Sequence, residues 1–347
     1  MTTHARNPAV GIVAVLLTLA GWSVTPVLIG YLARNGIDPW SNNGWRYGIA
    51  ALVWLPVLLI AWRRGSLPTG LFRRAVVPAV INSIAQTIFT HGFYSIDPAL
   101  FVIGLRMQIV FVAIGAAVLF PAERAVITTS RFIAGSLLAT MGIVGVLLFG
   151  LRDSGDIDTS QMVLGMTLAV LSGAGFGFYG LAVRHFMHGV PSHIAFAAIA
   201  QYTAAAMIAT MILMSPGHGI GPISARPIVL IVLVVSTFTG IAGTHVFYYM
   251  SIARVGVAVS TAVLQLQPFG VGVISFMILG EKLSLPQWAC GVGAVVGAAL
   301  ALWAQHTMRR RPGADDDLQE FAELPPDAVV AAAIDEREAD QAPATQL

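Results

Sequence analysis

The chain has 347 residues, 56% of them hydrophobic and only 10% charged, with a formal net charge of +2. A soluble fold carries about 25% charged residues, so a pair of ordinary water-soluble domains is excluded. A single cysteine, Cys290, excludes an intrachain disulfide.

In chain order, the first apolar run begins near Ala9 and has no well-placed small-residue cleavage site. It therefore reads as a retained helix and not a removed signal peptide. A hydrocarbon core of ~30 Å takes about 20 apolar residues per helix. On that measure ten spans are expected, at 9–32, 43–62, 75–95, 98–120, 129–150, 162–182, 193–214, 227–248, 256–279 and 287–305. Turn chemistry separates several of them: Asn35-Gly36-Ile37-Asp38-Pro39, Asp97-Pro98 and Ser215-Pro216-Gly217. The 35 glycines lie largely within the spans, as in packed membrane helices.

Ten spans place both termini on one side. If that side is cytoplasmic, the inner ends hold Arg6, Arg63, Arg64, Arg73, Arg74, Arg124, Arg131, Arg184, Arg254 and Arg309 to Arg311. The outer ends hold Arg34, Arg46, Arg152, Arg226 and Lys282. The positive-inside rule then puts both termini in the cytoplasm and the protein in the cytoplasmic (inner) membrane. Scattered through short loops, these cations form no nucleic-acid footprint.

The chain repeats itself. Thr90-His91-Gly92-Phe93-Tyr94 returns as Thr244-His245-Val246-Phe247-Tyr248, and Ala122-Glu123-Arg124 returns as Gly280-Glu281-Lys282. Residues 9–151 and 162–305 are thus two five-helix units. An odd number of helices per unit inverts the second against the first, an arrangement that recurs in secondary transporters with substrate bound at the repeat interface. The fold class expected is an all-α polytopic membrane protein: ten transmembrane helices in two inverted repeats. Residues 306–347, rich in Asp, Glu, Ala and Pro, are expected to be a disordered cytoplasmic tail.

These residues resemble the EamA-type branch of the drug/metabolite transporter superfamily. In that family each five-helix repeat carries a Gly-Glu-Arg/Lys turn before its last helix. Here the second copy reads Gly280-Glu281-Lys282-Leu283-Ser284, followed by Trp288, and the first departs as Pro121-Ala122-Glu123-Arg124. Span 9 has Leu266-Gln267-Pro268, similar to the family's proline there, whereas span 4 has Ile109-Val110 and no proline. The resemblance implies a cavity formed by spans 1, 3, 4, 6, 8 and 9.

Polar side chains within lipid need a partner or a wet cavity. On span 3, Asn82, Gln86 and Thr90 share one face, and on span 8 Ser236, Gly240, Thr244 and Tyr248 do the same. Arg106 lies eight residues after Pro98, so ~12 Å into its helix at about 1.5 Å per residue. No carboxylate falls at that depth. It suits a substrate carboxylate or phosphate, or else bonds helix carbonyls or Gln265 and Gln267. Trp22, beside Pro26, and Tyr179 complete the expected binding set of Trp22, Asn82, Gln86, Arg106, Tyr179, Ser236, Gly240, Thr244, Gln265 and Gln267. His91, Tyr94, His245 and Tyr248 are expected at opposite faces, as gating or proton-coupling groups. Glu123 and Glu281 are expected to cap the helices that follow them.

No zincin, nucleophile-elbow or P-loop motif occurs, so neither an enzyme nor direct ATP drive is expected, and no cofactor or metal. The reading is a secondary transporter for a small polar or amphipathic metabolite, amino-acid-like or otherwise, moved by alternating access and exported. Its partners are the small-molecule substrate and the lipid bilayer, with proton or exchange coupling left open. An intramembrane or lipid-modifying enzyme with an unrecognised site, or a receptor on the same scaffold, is the alternative.

Overall fold

The computed structural model describes residues 8–119, 127–153, 159–187, 189–245, 247–248, 250–251 and 263–309. The acidic tail beyond Arg309, the Ala122-Glu123-Arg124 turn, Arg254 and the start of span 9 lie outside them. The described residues are mostly helical, with no strand among them. We label the helices α1 (Pro8–Arg34), α2 (Pro39–Arg63), α3 (Leu71–Gly92), α4 (Pro98–Leu105), α5 (Gln108–Leu119) and α6 (Ser130–Asp153). They continue as α7 (Thr159–Phe186), α8 (Ser192–Met214), α9 (Pro227–Thr237), α10 (Gln267–Leu279) and α11 (Leu285–Arg309). Among the described residues, six helical stretches are long and apolar enough to cross a membrane, and the helices around Pro227–Ala242, Gln267–Leu279 and Leu285–Ala301 are shorter apolar ones.

Helix starts follow local chemistry. Pro39, Pro98 and Pro227 each stand at a first helical position, where the missing N–H costs nothing. Asp38 caps α2, its carboxylate accepting from the N–H groups of Trp40 and Ser41 at 3.0 Å. Burial alone would raise the Asp38 pKa, but hydrogen bonds from Ser41, Ser215 and Trp40 outweigh it and hold the group below its ordinary value. Ser284 and Gln287 open α11 as a capping box, Gln287 Oε1 reaching back to the Ser284 N–H at 2.8 Å. That corrects the expectation for Glu281: the cap is Ser284 with Gln287, and Glu281 is engaged elsewhere.

Contacts between helix ends sort them into two groups. At one end of the bundle Arg34 meets Asp97 and Glu281, Asp38 meets Ser215, and Arg226 meets Asn35. At the other, Arg74 donates to Phe186 O. Between them, Tyr47, Ala50 and Trp54 of α2 pack on Ala195, Ile199 and Met207 of α8. A second cluster joins Phe93, Phe101 and Ile103 to Met166. Large apolar side chains such as Leu52, Met141, Leu213 and Met277 face outward, a surface suited to lipid and not to water.

Three of the expected spans are not single α-helices. Span 4 divides at Arg106-Met107 into α4 and α5, and span 9 turns at Gln265-Leu266 before α10. Span 8 gives way after Thr237 to a π turn over Phe238–Ala242. All three interruptions flank one central cavity.

Candidate functional site

The cavity has a volume of about 160 Å³. Trp22, Thr25 and Pro26 of α1, Arg46 of α2, and Gln86 and Phe89 of α3 form one part of its wall. Arg106 at the α4–α5 break, Phe176 of α7, Gly240 in the π turn, His245, and Gln265 and Gln267 form the rest. Its walls mix aromatic side chains (Trp22, Phe89, Phe176) with polar ones, of which Arg106, Gln265 and Gln267 stand at the interruptions.

Two prolines organise the polar part. In a regular helix the Trp22 carbonyl would accept from the N–H of residue 26, but Pro26 has none. Trp22 O instead accepts from Gln267 Nε2 at 2.6 Å. Pro268 likewise frees Leu264 O, which accepts from Arg106 Nη1 at 3.4 Å. The amide of Gln267, oriented by its donation to Trp22, turns Oε1 to Arg106 Nη2 at 2.7 Å. A chain of three residues, Trp22–Gln267–Arg106, thus ties α1, α10 and the α4–α5 break around the cavity. Arg106 Nε and Gln265 Oε1 have no hydrogen-bond partner among the described residues.

Arg46 reaches the same space from α2. It is 1% exposed, and only Nη2 is engaged, donating to Ser236 O at 3.3 Å; Nε and Nη1 have no hydrogen-bond partner among the described residues. The approach depends on Gly240. A Cβ there would stand 2.7 Å from Arg46 Nη2 and 2.6 Å from Thr25 Cγ2. His245 completes this wall, stacked on Phe196 with centroids 4.8 Å apart and edge-on to Trp22 at 5.7 Å. Its Nδ1 pairs with Ile241 O at 2.9 Å.

Of the expected binding set, the cavity brings together Trp22, Gln86, Arg106, Gly240, Gln265 and Gln267. The others are placed around it. Asn82 donates to Thr203 on α8 at 3.2 Å, Ser236 Oγ bonds Leu233 O at 2.8 Å, and Thr244 Oγ bonds Thr239 O. Tyr179 packs on the α2–α8 cluster. Thr90 donates to Asn43 Oδ1 at 2.7 Å, so the polar stripe on α3 serves helix packing as much as the cavity.

The four expected gating residues divide differently from their symmetry. His245 lines the cavity and Tyr248 packs on Trp22 with tilted rings, centroids 5.2 Å apart. His91 packs on Trp40 at 4.5 Å, and Tyr94 donates to Ile37 O. The π turn accounts for the change: an added residue in the turn re-aims the helix that follows. Arg46, Phe89 and Phe176 escaped sequence reasoning. For Arg46 the signal was available, since it stands seven residues after Pro39, ~10 Å into α2 by the same helical rise that singled out Arg106.

A second pocket of about 320 Å³ opens at the bundle end, lined by Arg34, Tyr94, Asp97 and Pro98. Arg34 donates to Asp97 at 3.1 Å, to Glu281 at 2.5 Å and to Leu279 O at 3.0 Å. The Glu281 side chain is 4% exposed and also accepts from Ser275 Oγ. Burial, aided by the neighbouring Asp97 charge, pushes its pKa up to about 7, against the pull of Ser275 and Arg34.

Residues 163–303 match, and so are similar to, the EamA-like transporter family. The matched segment supplies Phe176, Gly240, His245, Gln265 and Gln267 to the cavity. Sixteen chains of solved structures match. One, a crystal structure, is similar at 19% identity and a TM-score of 0.55 over 88% of this chain and 99% of that one. At that identity the likeness concerns the fold. No match is found among curated proteins. The matched segment and the apolar helices described above together support a multi-pass membrane protein.

Proposed function

We propose that this protein is an EamA-type secondary transporter that moves a small polar or amphipathic metabolite across the cytoplasmic membrane by alternating access, with export as its direction. In this reading the ten spans form two inverted repeats, 9–151 and 162–305, and both termini are cytoplasmic. The observation that carries it is the position of the cavity, which sits where the α4–α5 break, the turn before α10 and the π turn after α9 meet. Interrupted backbone at membrane depth is tolerated where it is buried in protein or lines a cavity, and broken helices around a central site are a hallmark of carriers. Both halves contribute: Trp22, Arg46 and Arg106 from the first, His245 and Gln267 from the second.

Counterflow in proteoliposomes tests the proposal. With amino acids, nucleobases and organic acids as labelled probes, one class is expected to show saturable uptake that unlabelled compound on the far side accelerates. Vesicles of known orientation then assign direction. Product formation without flux would place the chain among the enzymes instead.

A further inference from the structure

The cavity concentrates positive charge without an answering carboxylate. Its lining side chains include two guanidinium groups, Arg46 and Arg106, and no Asp or Glu. The nearest described acids are committed. Asp38 caps α2 and takes Ser215, while Asp97 and Glu281 stand with Arg34 at the bundle end.

Both arginines are deeply buried, 1% and 8% exposed. Taking an unpaired cation out of water is expensive, and a low-dielectric site makes its pull on an anion correspondingly strong. Neutral partners satisfy only part of each group. Arg106 bonds Gln267 and Leu264 O, Arg46 bonds Ser236 O, and three N–H-bearing atoms remain: Arg46 Nε, Arg46 Nη1 and Arg106 Nε. A guanidinium is built to donate two parallel bonds to a carboxylate or phosphate. Buried donors are rarely left unpaired, and these three lie on the two arginines that line the cavity.

Resting on the carrier reading, we propose that the transported compound is a small organic dianion held by Arg46 and Arg106 together. Trp22, Phe89, Phe176 and the neutral amides of Gln86 and Gln265 enclose its uncharged part. A dicarboxylate would place one carboxylate on each arginine; a phosphomonoester would draw both onto one group. The volume of about 160 Å³ suits a metabolite and not a drug-sized molecule, for which pockets of roughly 300–1,000 Å³ are usual.

The test measures binding and flux separately on the full chain. Thermal unfolding of the detergent-solubilised protein is followed with succinate, glycerol 3-phosphate and uncharged succinamide at matched ionic strength, and counterflow is run with the same probes. A dianion should raise the unfolding temperature where succinamide does not. Its apparent affinity should fall about tenfold or more in Arg46→Gln and in Arg106→Gln, as expected for losing a charge-assisted pair. Arg46→Lys, which keeps the charge, should recover part of the loss if the Gln variant folds poorly. Preference for succinate assigns one carboxylate to each arginine, and preference for glycerol 3-phosphate assigns a shared phosphate. Stabilisation or flux by neutral compounds alone, or no stabilisation by either dianion, overturns the inference while leaving the carrier reading to its own flux test. Arginine-dependent binding without trans-stimulated flux has the opposite meaning: the site stands and the carrier reading falls.

Discussion

Gln267 joins one acceptor and one donor that would otherwise be stranded. Its Nε2 satisfies the carbonyl that Pro26 orphans, and its Oε1 takes one of the Arg106 donors. Replacing it with leucine leaves Trp22 O and Arg106 Nη2 buried and unmatched. Each such loss costs about 1–3 kcal/mol, so Gln267→Leu should destabilise the solubilised protein by about 2–6 kcal/mol. Chemical or thermal unfolding reads this directly, and an unchanged midpoint would mean that water replaces both bonds. Part of the arrangement was legible beforehand: Pro26 within a spanning helix announces a free carbonyl, and the Gln267 amide is named among the possible partners of Arg106. That the same amide also serves Trp22 was not legible, because the two residues are 245 positions apart and no local pattern links them. Arg46 went unread for a different reason. Its position near a helix start looked interfacial until burial showed otherwise.

The α4–α5 break raises the opposite problem at the scale of elements, since span 4 has no proline to cause it. The cause lies on α7. A Cβ on Gly173 would meet Leu105 O at 2.8 Å and Gln108 N at 3.0 Å, so the α7 backbone presses directly on the interrupted turn. A Cβ on Gly104, just before the break, would likewise stand 2.8 Å from Ala169 Cβ of α7. Close approach of small residues is how membrane helices pack, and here it sets the path of the chain past Arg106. Gly173→Ala is therefore predicted to push α7 away, costing about 1–3 kcal/mol as an overpacked contact and weakening substrate affinity with it. Gly180 on the same helix provides the control. No atom stands within 4 Å of its added Cβ, so Gly180→Ala should be neutral or stabilising by up to about 1 kcal/mol through helix propensity. Unfolding midpoints of the pair, measured side by side, separate packing from propensity; equal effects would remove α7 as the cause of the break. Sequence periodicity finds where helices run, as at α1, α2 and α8. It does not register a break imposed by a neighbouring element.

Across the whole molecule, the Arg34–Asp97–Glu281 cluster joins the end of α1, the start of α4 and the turn between α10 and α11. The Gly280-Glu281-Lys282 motif was visible as a repeat, but its expected role was local capping, whereas its ion partner Arg34 lies 247 positions away. A solvated ion pair contributes little to stability, and both Arg34 and Asp97 are partly exposed. Buried Glu281 is different. In this arrangement burial and then Asp97 raise its pKa to about 7, from an ordinary 4.5. Were the bundle end to open and solvate the group, it would release its proton nearer the ordinary value. Between those values the closed form binds more protons than the open one, so closure is favoured at acid pH and that preference is lost as pH rises through about 7. The groups facing Glu281 are Arg34 from α1, Asp97 before α4 and Ser275 from α10, with Lys282 adjacent in the chain. Accessibility at the bundle end should follow this titration. With Cys290 replaced by alanine and Ala33, which lines the outer pocket, replaced by cysteine, a membrane-impermeant maleimide should label faster at pH 8 than at pH 5 by more than thiol ionisation alone explains. Glu281→Gln, neutral at every pH, should hold the end closed and abolish that excess. Asp97→Asn should move its midpoint to lower pH by removing the neighbouring negative charge. Identical pH profiles in wild type and Glu281→Gln would show that this carboxyl does not control the opening.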